Sequence, residues 1–156
     1  MDDNVTLVVF EIAGQRYAMP LRAVVRVVRA VEVTALPHAP ATIYGAINVQ
    51  GRVIPVLNMR KRLGHPERAL ELNDEFLIVQ VCQRWLALWV DTVSDVIETA
   101  PQALIAAEQI APGLEDVASV VKLANGLLLL QDPERLFASC EPGTWGQPAG
   151  SGEARA

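Results

Sequence analysis

Ile47-Asn48-Val49, then Gln50-Gly51, then Arg52-Val53-Ile54-Pro55-Val56 is the stretch on which the reading of this chain turns. Two short apolar runs flank a pair of turn residues, which is the pattern of a β-hairpin. A glycine at the second turn position supplies the positive φ that a tight reversal needs. Pro55 carries no amide hydrogen and cannot donate to a central ladder, so its place within the second run implies an edge strand or a bulge.

The same device recurs along the chain. Leu7 to Ile12, Ala13-Gly14-Gln15 and Arg16 to Met19 form a hairpin upstream. Phe76 to Val81 and Trp85 to Val90 form a third, with Cys82-Gln83-Arg84 between them and no glycine to mark the turn. Val93 to Ile97 is expected to continue that sheet. Ala118 to Leu123, Asn125-Gly126 and Leu127 to Leu130 give a fourth hairpin with an Asn-Gly turn. Short runs at this spacing read as many strands, not as long amphipathic helices. The halves Val8 to Val56 and Phe76 to Leu130 resemble each other as successive hairpins, which suggests two similar small barrels.

Helical signals are brief. In Leu21 to Arg29 the basic residues Arg22, Arg26 and Arg29 fall at i, i+4 and i+7, yet the β-branched valines between them disfavour a long helix. One turn near Arg22 to Val25 leading into a strand is expected. Asn58 to Leu63 precedes Gly64, a common helix stop, and Asp132 can cap a last helix with Pro133 at its first position, ending near Ala138. Beyond it, residues 139–156 hold too few apolar side chains to offset chain ordering. A disordered tail is expected there, with Trp145 mobile inside it.

Composition narrows the function. At 156 residues and 51% hydrophobic content the chain can bury roughly two-thirds of its unfolded surface without a metal or disulfides. No apolar stretch approaches the ~18 residues of a membrane span, and Met1-Asp2-Asp3-Asn4 is acidic where a secretory leader is basic, so a cytoplasmic protein without direct membrane insertion is expected. A net charge of −5 argues against nucleic acid as partner. Eleven of the thirteen basic residues are arginine, the side chain suited to fixed bidentate contacts, which hints at a protein-facing surface. Cys82, within an apolar run, and Cys140 are far apart and read as free thiols.

No convergent catalytic set emerges. There is no H-x-x-x-H, phosphate loop, G-x-S-x-G or C-x-x-C, so no cofactor and no metal site are expected. His38 and His65 both adjoin prolines and read as exposed loop histidines. Asp91 and Asp95 lie four apart, and turn or edge hydrogen bonding suits them better than shared acid-base work.

The ordered set between Leu36 and Gly64 is more specific than any of its parts. Leu36-Pro37, Pro40, Ile43-Tyr44-Gly45, Asn48-Val49-Gln50-Gly51, Ile54-Pro55-Val56, Asn58-Met59-Arg60 and Leu63-Gly64 are similar to the signature of CheW-like domains. That signature runs Leu-Pro, Pro, Ile-x-Gly, Asn-x-Arg-Gly, Ile-Pro-Val, Asp-Leu-Arg and Leu-Gly. The likeness extends from Phe10 and the Tyr17 to Pro20 arm through Val90-Asp91-Thr92-Val93 to Gly126, Leu130-Gln131-Asp132 and Arg135-Leu136. It covers about residues 5 to 138.

The resemblance implies an all-β fold of two small five-stranded SH3-like β-barrels that share a hydrophobic core, with a few short helices. Residues 1–138 would form this unit and 139–156 the tail. It also implies a non-enzymatic chemotaxis adaptor that couples the cytoplasmic tip of methyl-accepting chemoreceptors to the regulatory domain of a CheA-type histidine kinase, within receptor arrays at the inner membrane. On the family pattern the receptor groove involves Val24, Val27 and Val28 with the Asn48-Val49-Gln50-Gly51 turn. Kinase contact draws on edges and turns of the first half, including Tyr44 and Arg52. Three family charges are altered here: Arg26 replaces a usual Glu, Gln50 a usual Arg and Asn58 a usual Asp. Glycines usual before the second-half hairpin arm and before the last hairpin appear here as Cys82 and Ser119. Because interface charge sets specificity, Arg26 and Gln50 point to specialised partners, and an adaptor of a pathway controlling pili or gene expression is the alternative.

Overall fold

The computed structural model describes residues 4–106, 109, 119–124 and 126–138. The expected tail with Cys140 and Trp145, the Asn125 turn position and Ala118 lie outside the described residues.

Strands β1 (Val5–Ile12) and β2 (Gln15–Pro20) form the first hairpin, and a single 3-10 turn at Leu21–Ala23 leads into β3 (Val24–Arg29). Next come β4 (Ile43–Val49), β5 (Arg52–Asn58), the short helix α1 (Met59–Leu63), β6 (Glu75–Val81) and β7 (Arg84–Val90). The chain then forms β8 (Thr92–Thr99), a second 3-10 turn at Pro101–Ala103, β9 (Leu104–Ala106), β10 (Ser119–Leu123), β11 (Gly126–Leu130) and α2 (Pro133–Ala138). Local chemistry accounts for both helix ends. Asn58 Oδ1 accepts from the Lys61 amide and Gly64 closes α1 in the left-handed region at φ 80°, while Asp132 Oδ1 accepts from the Glu134 amide at the start of α2.

The strands divide into a six-stranded sheet, ordered β8-β1-β2-β11-β10-β9, and a five-stranded sheet, ordered β3-β6-β7-β5-β4. This is the expected all-β, two-subdomain SH3-like architecture, with one strand more in the first sheet. The division does not follow the halves of the chain. The five-stranded sheet is built from the contiguous middle of the sequence, and the other sheet joins the two ends around it. Val93 to Ile97 accordingly does not continue the sheet of β6 and β7: β8 crosses over to pair with β1, with Val8 opposite Val96.

The shared core follows from strands that bury both faces. On β1, Leu7 and Val9 enter a cluster confined to the six-stranded sheet, while Val8, Phe10 and Ile12 enter a central cluster. On β6 and β7, Leu77, Val79, Leu86 and Leu88 join that same central cluster, while Phe76, Ile78, Ala87 and Trp89 fill the other side of the five-stranded sheet. Alternate residues of one strand thus serve two cores, as the period of a strand dictates. Leu136 and Phe137 of α2 cover the central cluster.

Three local expectations change. Pro55 lies in an interior strand, but β5 pairs with β7 only from Val56 onward, so the proline occupies the half of β5 that is bonded to β4 alone. The third hairpin turns in two residues, not three: Cys82 and Gln83 sit at φ 52° and 69°, both left-handed without a glycine. The reversal therefore exposes Cys82, which does not belong to the apolar run. Gly45 of the Ile-x-Gly element has a steric reason. Thr34 and Ala46 exchange two backbone hydrogen bonds, at 2.9 and 2.8 Å, and a Cβ on Gly45 would lie 2.4 Å from the Thr34 carbonyl oxygen. Gly45→Ala is expected to lower unfolding stability by about 2–3 kcal/mol, an overpacking cost measurable by urea denaturation; a loss below about 0.5 kcal/mol would show that the Thr34 segment moves aside freely.

Candidate interaction surfaces

The residues expected at partner surfaces fall into two groups, on β3 and on the β4–β5 hairpin, with β6 and β7 between them in the sheet order. In the hairpin, Gln50 and Gly51 adopt φ 53° and 83°, and Asn48 Oδ1 accepts from the Gly51 amide at 2.8 Å, which fixes the turn. Asn48, Gln50, Gly51 and Arg52 are exposed, whereas Val49 is buried in the core of the five-stranded sheet. Tyr44 is exposed at its edge and packs on Trp89 with ring centroids 4.6 Å apart. Arg52 lies over the Trp85 ring, 4.0 Å from its centroid, and donates to the Gln83 carbonyl at 2.8 Å. That bond clamps the two tight turns side by side.

On β3 the pairing register decides the direction of each side chain. Val27 lies opposite Leu77 and Val28 opposite Phe76, so they leave opposite faces of the sheet. Val28 packs against the cluster of Phe76, Ile78, Ala87 and Trp89, on the inner face of the five-stranded sheet, and Val24 against the central cluster on its other face. Val27 is 41% exposed and is not part of either core. A bulge between Val24 and Arg26 places Arg26 opposite Ile78, on the inner face with Val28. The even cationic stripe that a helix would have made of Arg22, Arg26 and Arg29 is therefore absent. On β5, exposure of the outward residues rises from Leu57 at 0% to Val53 at 70%, where the covering sheet ends.

Sequence reasoning missed a charged network beneath these surfaces. Asp91, at the bend between β7 and β8, accepts from Arg60 at 2.9 and 2.8 Å, from Arg68 at 3.1 Å and from the Ala13 amide at 2.9 Å. Arg68 also grips Asp74 through two parallel bonds of 2.8 Å, and Asp74 Oδ2 accepts from Trp89 Nε1 at 3.0 Å and the Glu71 amide at 2.8 Å. Burial pushes the Asp74 carboxyl upward, but these donors outweigh burial and hold it below the usual carboxylate range. The hydrogen bond to Asp74 raises Arg68 above its ordinary value in turn. The network belongs to the scaffold: it ties the 64–74 loop to α1, β7 and the β1–β2 turn. Asp95, by contrast, is exposed and bonds its own neighbour's amide at 2.8 Å, so Asp91 and Asp95 share nothing. The expectation of an exposed loop histidine holds for His38 but not for His65. His65 Nε2 lies 2.6 Å from the Tyr17 hydroxyl, which burial makes a weaker acid than usual. No spacing rule connects residues 48 positions apart.

A cavity of about 420 Å³ opens between Pro20, Arg22, Gln80, Cys82, Gln131 and Glu134, where the two sheets meet. No histidine lines it. Among the described residues no cluster of His, Cys, Asp and Glu could hold a metal ion, and no helix is long and apolar enough to cross a membrane.

Two interleaved sheets, a shared core and apolar side chains held at sheet ends define an all-β module of paired SH3-like subdomains. The chain belongs to the CheW-like domain family, whose model matches residues 6–141. It is 29% identical over 146 residues to the chemotaxis protein CheW of Treponema pallidum, covering 90% of this chain and 86% of that one. To the CheW of Bacillus subtilis it is 32% identical over 130 residues, covering 81% and 82%. The crystal structure of the scaffolding protein TtCheW from Thermoanaerobacter tengcongensis superposes with a TM-score of 0.78 at 27% identity, covering 86% of this chain and 92% of that one.

Because the folded Asp74 carboxyl titrates below its ordinary value of about 3.9, its contribution is complete above that pH and disappears as pH falls through the depressed folded value. Asp74→Asn is expected to cost roughly 3 kcal/mol at neutral pH, since it leaves the Arg68 fork unmatched. The gap from the unaltered protein should narrow on acidification in denaturant titrations run from pH 7 to pH 3. A gap independent of pH would contradict the assigned charge.

Proposed function

We propose that this chain is a chemotaxis coupling scaffold that binds a chemoreceptor tip and the regulatory domain of a CheA-type histidine kinase on separate surfaces, and that it catalyses no reaction. The match along residues 6–141 supports the reading, together with the naming of a similar structure as a scaffolding protein. The observation that carries it is the exposure of Val27 on an edge strand whose neighbours Val24 and Val28 are anchored in two different cores. An apolar side chain held out from a rigid strand binds without a large ordering cost. The receptor tip lies along β3 at Val27 and reaches the turn at Asn48 to Gly51. The kinase domain takes the outer edge of β4 beside the Thr34 bridge, where Tyr44 is braced by Trp89. Either contact at the usual size of ~1,200–2,000 Å² fits a domain of this surface.

Val27→Asp tests the receptor surface. The variant should fold with nearly unchanged stability, because the side chain already meets solvent, while its association with a receptor-tip fragment weakens by about 2 kcal/mol, the scale of an interface hot spot. Equal co-sedimentation of variant and parent with receptor would count against the placement. Loss of folding would mean that Val27 is a core residue.

A further inference from the structure

Two arginines on the inner face of the five-stranded sheet lack a carboxylate partner. Arg26 stands opposite Ile78 on β6, Gln80 lies two residues further along the same face, and Gln80 stands opposite Trp85 on β7. Gln80 Oε1 accepts from Trp85 Nε1 at 3.0 Å, and the Trp85 ring carries Arg52 on its face. Register thus places Arg26 two residues along the face from the Gln80–Trp85 pair, while Arg52 lies over that pair's indole on the same face, beside the Gln50-Gly51 and Cys82-Gln83 turns. Among the described residues neither guanidinium forms an ion pair, and the Arg26 Nε is buried with no acceptor. Arg22 differs, because it shares its cavity with Asp132 and Glu134.

A buried N–H without an acceptor is costly, and planar guanidinium forks match carboxylates better than any other protein group. The chain carries a net charge of −5, so two cations without a carboxylate partner on one sheet face form a local exception to its field. From this we infer that the sheet face bearing Arg26, Trp85 and Arg52 is a seat for an acidic segment of the receptor tip, with Arg26 and Arg52 as its specificity-determining residues. The inference rests on the coupling reading and deepens it. Arg52 then belongs to the receptor side and not to the kinase side. Because β3 is an edge strand, one partner lying along it meets Val27 on one face and Arg26 on the other. The carboxylates replace an acceptor that Arg26 lacks, and the Trp85 face keeps Arg52 extended and ready.

The test is a titration of the full chain with a soluble helical-hairpin fragment of the receptor tip, repeated from about 50 to 500 mM salt. Arg26→Glu and Arg52→Glu should each weaken binding at least tenfold at low salt, and Arg26→Met should flatten the salt dependence without lowering the melting temperature. Arg16→Glu, on the other sheet, is the control and should change affinity less than twofold. Wild-type affinity for both charge-reversal variants overturns the seat. So does weakening confined to the kinase regulatory domain, because it assigns the acidic segment to the other partner. Val27→Asp run in parallel separates the two levels: weakening there with unaffected arginine variants leaves the coupling reading intact and removes only the seat, whereas no effect in any variant removes the coupling reading itself.

Discussion

Burial of alternate residues of β1, β6 and β7 in two different cores is the constraint from which the rest of the structure follows. A strand covered on both faces cannot slip by one residue without sending an apolar set into the wrong cluster, so the register of the central strands is fixed on both sides. The two sheets are in consequence held as one body. Phe10 and Leu77 come from different sheets yet fill the same cluster, and removing either would open a cavity that the second sheet could not close by repacking. The middle of the chain forms one sheet and its two ends form the other, so the central cluster is complete only when both sheets are in place.

That arrangement sends the variable chemistry to the sheet ends and edges. Every position where this chain departs from the family's charges, Arg26, Gln50 and Asn58, lies at an edge, a turn or a helix cap. Asn58 retains its cap despite the change, because an amide oxygen accepts from the Lys61 amide as a carboxylate would. The Arg60–Asp91 and Arg68–Asp74 pairs serve the opposite purpose, holding the 64–74 loop against the scaffold so that the edge strands keep their relative positions.

Much of the fold was legible because its signals are local. Gln50-Gly51 and Ala13-Gly14 announced their turns, Asn58 and Gly64 bracketed α1, and Asp132-Pro133 opened α2. What escaped was non-local. Nothing in Val93 to Ile97 tells that β8 leaves its hairpin for β1, since an alternating strand pairs equally well with either sheet until the cores are assembled. Arg68, Asp74 and Asp91 are spread over three elements and look like ordinary surface charges until the chain folds. Cys82 and Gln83 hid their turn because neither is a residue that favours positive φ; the Arg52 bond to the Gln83 carbonyl helps hold a geometry that sequence preference opposes. At the surfaces, the family pattern pointed to Val27 and the 48–51 turn, but only the bulge in β3 reveals that Val24 and Arg26 face opposite ways.

Coupling requires two partners to meet one rigid body at different places. Its most direct test is sedimentation of the chain mixed with both the kinase regulatory domain and the receptor-tip fragment, against each pair alone. A single boundary containing all three components, with neither partner displacing the other at saturation, is the predicted result. Competition of the two partners for the chain would contradict it.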